Sequence, residues 1–521
     1  MNDEVKKHLL TCAAKEHWQH VGIYPHHGFM LPLFSIRTKN TSGIGEFLDL
    51  FDVIDWVAEL NIDVIQLLPL NEMNEDFSPY NALSSCALDP IYISLKNLPS
   101  MEEKILKEEF QSLNLEKNVC YKEVKTRKLK ILYRYFEQFF PEYQKKPEFE
   151  NFVLNNPWLK EYGLFSVLKH TFQYTAFTDW PKEYQKLDEN CFAKLLEEHK
   201  KGIFFYIFLQ YLAFSQMTMV KAYASKKKIF LLGDIPIFIS TNSVDVWSCP
   251  ELFYKDSVAG APPDNYNDEG QKWGFYPFNW ENHRKTDYFW WKRRIATASN
   301  YYHLYRIDHA VGFFRTFIIP ADGKPIDGKF IPENPNFWEN EGKEKLLMML
   351  NTSLSLPIAE DLGIIPPVTY KVLRELGICG TKVMRWQEAH IKINEYEPIS
   401  LTTLSTHDTQ TLAQWWEQKS DEVDKYVTTN NIKYSVPLSY DTRYNILYNA
   451  HHTSSLFHVN PLSEYLALFD ELIWPNPDDE RINVPGKILS TNWTYRFKPF
   501  LEEIIAHEPL KQAIKKIIAP S

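Results

Sequence analysis

The chain has 521 residues, 44% of them hydrophobic and 24% charged, a balance that is ordinary for a packed protein and excludes disorder throughout. Its 57 basic and 67 acidic residues leave a net charge of −10, which argues against nucleic acid or an anionic membrane surface as the main partner, since such binders carry a basic face. Six cysteines (Cys12, Cys86, Cys120, Cys191, Cys249 and Cys379) lie far apart with no CxxC pair, so neither a structural zinc nor a disulfide framework is expected, and reduced thiols in the cytoplasm are the simplest reading.

Residues 1–25 carry early acids and no sustained apolar stretch, and read as an N-terminal extension rather than a signal peptide. Eight short runs follow: His27–Leu33, Asp63–Leu70, Lys228–Ile235, His303–Asp308, Leu356–Asp361, Thr381–Trp386, Leu401–Asp408 and Ser454–Asn460. Several are continuously apolar, as strands covered on both faces should be. Helical patterns lie between them; Ile44–Leu60 has apolar residues at helical spacing. Eight buried strands alternating with helices predict an α/β fold, a (β/α)8 TIM barrel over 26–521. The gaps are uneven, and insertion subdomains are expected at about 71–227 and 236–302, on the C-terminal face, where long segments wall a cleft. The longest apolar stretch, near Gly202–Ala213, is interrupted by Gln210 and too short to span a bilayer.

Four of the runs end in a carboxylate: Asp234 in LLGDIP, Asp308 in YRIDHA, Glu360 in PIAEDLG and Asp408 in STHDTQ. A single Asp after a strand is often only the cap of the next helix. Four acids at the C-terminal ends of strands in one barrel stand where barrel enzymes keep their catalytic groups. Strand alternation puts Arg306 and Asp308 on one face, with Ile307 toward the helices. Glu360 and Asp361 face opposite ways, so one serves the site while the other caps a helix starting near Gly363; the sequence leaves open which does which. His309 and His407 read equally as pocket residues or as satisfied structural histidines. There is no GxSxG elbow and no phosphate-binding Gly-rich loop. The pairs Asp308-His309 and His407-Asp408 lack a third ligand at diagnostic spacing, so no metal is expected. The chain has 15 Trp and 29 Tyr, residues that join an apolar face to a polar tip and suit sugar rings. Paired acids, many aromatics and no cofactor motif fit glycosyl transfer, which needs one carboxylate as nucleophile and one carboxylic acid to protonate the leaving oxygen.

Taken together, FSPYNALSSCALDPIYISL, GDIPIFI, VAGAPPDNYNDEGQKWGF, RIDHAVGFFR, PIAEDLGIIP, STHDTQT and RINVPGKILSTNW resemble the 4-α-glucanotransferases, the amylomaltase or disproportionating-enzyme family of the α-amylase clan, from about His26 to Phe497. The resemblance implies a (β/α)8 barrel with insertions on the active face and no C-terminal β-domain. It implies Asp308 as nucleophile, Glu360 as general acid/base and Asp408 as transition-state stabiliser. Arg306 matches the arginine supporting the nucleophile, and His309 and His407 match pocket histidines. Ser78, Tyr80 and Asp234 match the sugar-binding cleft; Asp264, Gln271 and Trp273 match donor and acceptor contacts; Asn483 matches within RINVPG. No cofactor is implied, and the partners would be α-1,4-glucans such as maltodextrin or glycogen. The family's bacterial motif carries Arg two residues after the histidine, where this chain has Val311; GFFR, KVMRWQE and STHDT look more like the plant cytosolic branch. Asp308 and Glu360 stand close enough in sequence that no large insertion is expected between them. Retention requires their carboxyls about 5–5.5 Å apart. A hydrolase of the same clan would use the same three acids, and a non-catalytic glucan-binding protein is the rival from another class.

Overall fold

The computed structural model describes residues 3–186, 189–263, 268–387, 391–430 and 432–519. Eight parallel strands, β1 (His26–Met30), β2 (Val64–Gln66), β3 (Phe230–Ile235), β4 (Leu304–Ile307), β5 (Leu356–Ala359), β6 (Gly380–Val383), β7 (Ser400–Thr403) and β8 (Phe457–Pro461), neighbour one another in chain order, and β8 pairs with β1. The ring closes at a bridge between Ile358 and Cys379, where the Ala359 N–H donates to the Cys379 carbonyl at 2.7 Å. Each expected run overlaps one strand to within a residue at its start or end or contains it, but most runs extend past the strand's C-terminal end. There the backbone leaves the ladder for side-chain partners; the Leu404 N–H, for instance, donates to Asn460 Oδ1 at 2.9 Å.

The barrel is not uniformly apolar inside. β5 is Leu-Pro-Ile-Ala, but β7 and β8 are fully buried although three of the four residues of β7 and two of the five of β8 are polar. These polar groups are tolerated because they pair: the Ser400 and Thr402 hydroxyls each lie 2.7 Å from Ser455 Oγ. His27 and His458 are cross-strand partners on β1 and β8, and His27 Nδ1 lies 2.9 Å from His451 Nδ1. Two imidazole nitrogens at that distance share one proton. Burial lowers the His27 pKa to about 4 and that of His458 to about 3, and pushes His451 down as well. These folded-state values lie below the unfolded one, so the stability they carry is present above about pH 6.5 and is lost as pH falls toward 4. Thermal denaturation across that range is expected to show a falling Tm with uptake of more than one proton on unfolding; a Tm that is level from pH 7 to 4 would refute it.

The N-terminal residues pack onto the barrel through two helices, Asp3–Leu9 and Lys15–Val21. Trp18 is fully buried there, its indole N–H donating to the Gly377 carbonyl at 2.8 Å. Residues 44–60 form a short 3-10 turn, Phe47–Asp49, followed by the helix Leu50–Glu59. The β2–β3 connection is helical, with Glu103–Leu115, Tyr121–Tyr143, Pro147–Asn155, Leu159–Thr171, Glu189–Glu198 and Lys200–Lys227. The apolar stretch expected to be too short for a bilayer belongs to that last helix of 28 residues, which is long and apolar enough to cross one by length and composition. Its apolar window is 67% buried inside the protein.

The β3–β4 connection supplies strands Ser257–Ala261 and Gln271–Lys272 before the helices Trp280–Lys285 and Phe289–Ala298. The segment between Asp308 and Glu360 is short, yet it is not a plain connection. It forms a hairpin, Thr316–Pro320 with Lys329–Ile331, that pairs antiparallel with Ser257–Ala261 to complete a four-stranded sheet. The β-branched and aromatic run Thr-Phe-Ile-Ile favours that strand. After β8 the described residues form helices, including Leu501–Ala506 and Glu508–Ile518, and no strand.

Candidate active site

Strand register assembles the site. Asp234 on β3 and Arg306 on β4 are direct cross-strand partners. Arg306 Nη1 lies 2.9 Å from both Asp234 oxygens, and the Tyr80 hydroxyl donates to the same carboxylate at 2.6 Å. Asp234 is therefore buried and fully engaged, which makes it a support for Arg306 and Tyr80. The Arg306 guanidinium in turn touches the two acids at the strand ends: Nη1 is 3.1 Å from Asp308 and Nη2 is 3.9 Å from Glu360. Asp308 is the more open of the two, at 25% exposed against 12%.

Glu360 is held from the backbone. The His309 N–H donates to Oε2 and the Leu362 N–H to Oε1, each at 2.8 Å. The backbone at His309 is left-handed, φ 46°, a conformation that costs a non-glycine residue energy and persists only where its surroundings impose it. Burial raises the Glu360 carboxyl to about 7, with the Asp308 charge adding to it against Arg306 and the two N–H groups. Its neighbour Asp361 does not cap a helix. The Asp361 carboxylate instead accepts the Thr381 N–H of β6 at 2.6 Å, a side chain at Gly380 would collide with it, and the next helix starts at Pro367.

Asp408 lies on the loop after β7. Burial would raise its carboxyl, but His407 Nε2 at 3.3 Å, the Asn483 amide donating at 2.6 Å and the nearby Arg306 hold it at about 2. Burial alone would lower the His407 pKa; the Asp408 carboxylate reverses that and keeps it raised. Burial leaves His309 at about 4, against the pull of Asp308. One site thus holds a neutral-leaning carboxyl, Glu360, and a firmly ionised one, Asp408, environments opposed enough that one acid can hold a proton while the other stays charged.

Aromatic rings surround these acids. Tyr80 stacks on His407 with ring centroids 4.9 Å apart, and Trp273 meets His309 edge-on at 4.9 Å. Gln271 accepts from the Trp273 indole at 2.9 Å. Ser78 sits in the same loop as Tyr80, its carbonyl accepting the Asn81 N–H. Asp264 lies outside the described residues. Two residues were not singled out from the sequence. Trp493, at the end of the RINVPGKILSTNW segment, approaches Tyr80 at 5.5 Å and His407 at 5.7 Å. Arg481 donates to the Asp408 carbonyl at 2.9 Å and to the Asn483 carbonyl at 2.7 Å. Both stand in a quoted motif, but nothing in their spacing says which member faces the acids.

The family model for 4-alpha-glucanotransferase matches residues 31–502. The chain is 40% identical to the 4-alpha-glucanotransferase of Chlamydia pneumoniae over 526 residues, 99% of each chain, and 40% identical to that of Chlamydia caviae over 518 residues, 97% of each. It is similar in structure to the amylomaltase of Streptococcus agalactiae solved in complex with acarbose, with a TM-score of 0.82 and 25% identity, covering 95% of this chain and 98% of that one. With a family match across nearly its whole length and relatives this close, the chain belongs to the 4-alpha-glucanotransferase family.

Proposed function

We propose that this 4-α-glucanotransferase moves a segment of an α-1,4-glucan to the 4-hydroxyl of a second glucan by retaining double displacement. The observation that carries the reading is the pair Asp308 and Glu360 on one guanidinium, with Glu360 raised to about 7. Glu360 donates its proton to the glycosidic oxygen as Asp308 attacks the anomeric carbon, giving a covalent β-glycosyl enzyme. The leaving segment departs with its new 4-hydroxyl. Glu360, now a carboxylate, takes the proton from an incoming 4-hydroxyl, which displaces Asp308 and restores the α-linkage. Asp408 hydrogen-bonds hydroxyls of the scissile sugar, favouring its distorted ring. Asn483, Arg481 and Asp234 act through Asp408 and Arg306. Ser78, Gln271, Trp273 and Asp264 belong to the cleft that holds donor and acceptor. Transfer exceeds hydrolysis to the extent that this cleft orients a sugar hydroxyl better than water.

Maltodextrin and glycogen are the proposed substrates, in the cytoplasm, where six cysteines without a disulfide are at home. Maltotriose with product sizing is the test. Glucose together with longer oligomers is expected; shortened products alone would mean a hydrolase, and no turnover a binding protein.

The pH profile gives an independent check. The productive form for donor cleavage has Glu360 protonated, so the donor-limited kcat/KM should fall above about pH 7, by about tenfold per unit. Asp408, at about 2, stays ionised throughout. A kcat/KM that holds constant to pH 9 is incompatible with this acid.

A further inference from the structure

Arg315 stands at the foot of the hairpin that lies between Asp308 and Glu360 in the chain. Its N–H donates to the Val311 carbonyl at 3.0 Å, continuing the turn Ala310–Phe313 that follows His309. The Phe330 ring of the hairpin and the Trp338 ring at the start of helix Trp338–Thr352 meet edge to face, with centroids 6.2 Å apart. The Arg315 guanidinium lies in the angle between them, 4.0 Å from the Phe330 centroid and 4.7 Å from that of Trp338. The Trp338 indole is itself fixed, donating to the Pro332 carbonyl at 2.8 Å. Among the described residues no carboxylate pairs with Arg315, so the two rings seat the cation. From that seat Nη2 donates to the Ile364 carbonyl at 3.0 Å.

Ile364 belongs to the loop after β5 that carries Glu360. Close to Glu360 this loop is well held: the Ala310 N–H donates to the Glu360 carbonyl at 3.0 Å, and the Asp361 carboxylate accepts the Thr381 N–H. Beyond Leu362 it opens. Gly363 and Ile364 are exposed, Gly363 has φ 94°, and a side chain added there would meet nothing within 4 Å. A glycine in the open leaves the chain many other paths. Among the described residues the hydrogen bond from Arg315 is what ties residues 363–365 to another element. Leu362 sits between the held part and the open part, and its N–H donates to Glu360 Oε1 at 2.8 Å.

We propose that Arg315 is a positioning residue for the acid/base: by holding the Ile364 carbonyl it fixes the loop in the path that keeps the Leu362 N–H on Glu360. The inference rests on the role proposed above for Glu360. The charged groups facing Glu360 are Arg306 and Asp308, with Asp234 behind Arg306, and none of them pairs with Arg315. The Leu362 N–H lowers the Glu360 carboxyl, so losing it raises that carboxyl further above about 7 and carries the protonated, active form to higher pH. The Arg315 charge also helps to keep His309 neutral; its loss there acts on the acid side of the profile and leaves the alkaline limb to Glu360.

The test compares Arg315→Met with the wild-type chain. By hydrogen exchange, the Leu362 amide should open about tenfold faster in the variant, while β3 exchanges as before. The alkaline limb of kcat/KM on maltotriose should move up by about half a pH unit, and kcat should fall by about tenfold with KM within about threefold. Should Arg315→Met not fold, Arg315→Gln, which puts a planar polar head in the half-buried seat, carries the same readings. Unchanged exchange at Leu362 overturns the inference. A limb that moves without faster exchange is the lost charge acting at a distance, and overturns it as well. Faster exchange with an unmoved limb also overturns it, because the loop then does not tune Glu360. A wild-type chain without transfer defeats the proposed function instead, and exchange at Leu362, which needs no substrate, then decides the positioning role alone.

Discussion

Replacing Asp308 with Asn is expected to lower disproportionation of maltotriose by roughly 10⁴–10⁶-fold, the scale seen when a nucleophile is removed. The amide keeps the shape of the side chain but cannot form the glycosyl ester. The fold should survive, because Arg306 retains Asp234 on both oxygens at 2.9 Å. The same variant should shift Glu360. The Asp308 charge helps to raise that carboxyl, so the titration of Glu360 moves below about 7 once the charge is gone. Rates give the first result and a carboxyl-resolved NMR titration the second. A variant with near wild-type transfer would remove Asp308 from the mechanism. An unshifted Glu360 would mean that the two carboxyls are not electrostatically coupled.

Glu360→Gln should separate proton donation from the rest of catalysis. On maltotriose the leaving oxygen needs a proton, and a loss of about 10²–10⁴-fold is expected. On a glycosyl fluoride the leaving group needs none, so forming the glycosyl enzyme should slow by less than about tenfold. The comparison is internal to one variant, so a general loss of folded protein cannot imitate it. Some destabilisation is expected: two backbone N–H groups donate to the two Glu360 oxygens, and the amide turns an NH₂ toward one of them, at a cost of about 1–3 kcal/mol. Equal losses on both substrates would assign Glu360 a positioning role instead.

The barrel was legible because its signal is local. Short β-branched runs at intervals are what strands buried on both faces require, and every strand from β1 to β8 overlaps an expected run, with no more than one residue outside it. The acids were legible for a related reason: Asp308 and Glu360 directly follow strands, so counting along the strand aims them. The helix expected near Gly363 did not form there, because the Asp361 carboxylate found the Thr381 N–H on the neighbouring strand, a partner 20 positions away. The hairpin after Asp308 was missed because its pairing partner, Ser257–Ala261, lies in the preceding connection.

The sequence by itself determined the eight-strand alternation, the order of the acids and the alternation that turns Arg306 and Asp308 the same way, since these depend only on neighbours along the chain. Only the tertiary structure decided which charges meet: Asp234 and Tyr80 behind Arg306, two backbone N–H groups on Glu360, and Asn483 with His407 on Asp408. Proton affinity follows from burial and from charges within a few ångströms, and apart from His407 and Leu362, which adjoin their acids in the chain, those neighbours come from segments separated by tens to hundreds of residues. Two carboxyls that look alike in the sequence therefore end near 7 and near 2.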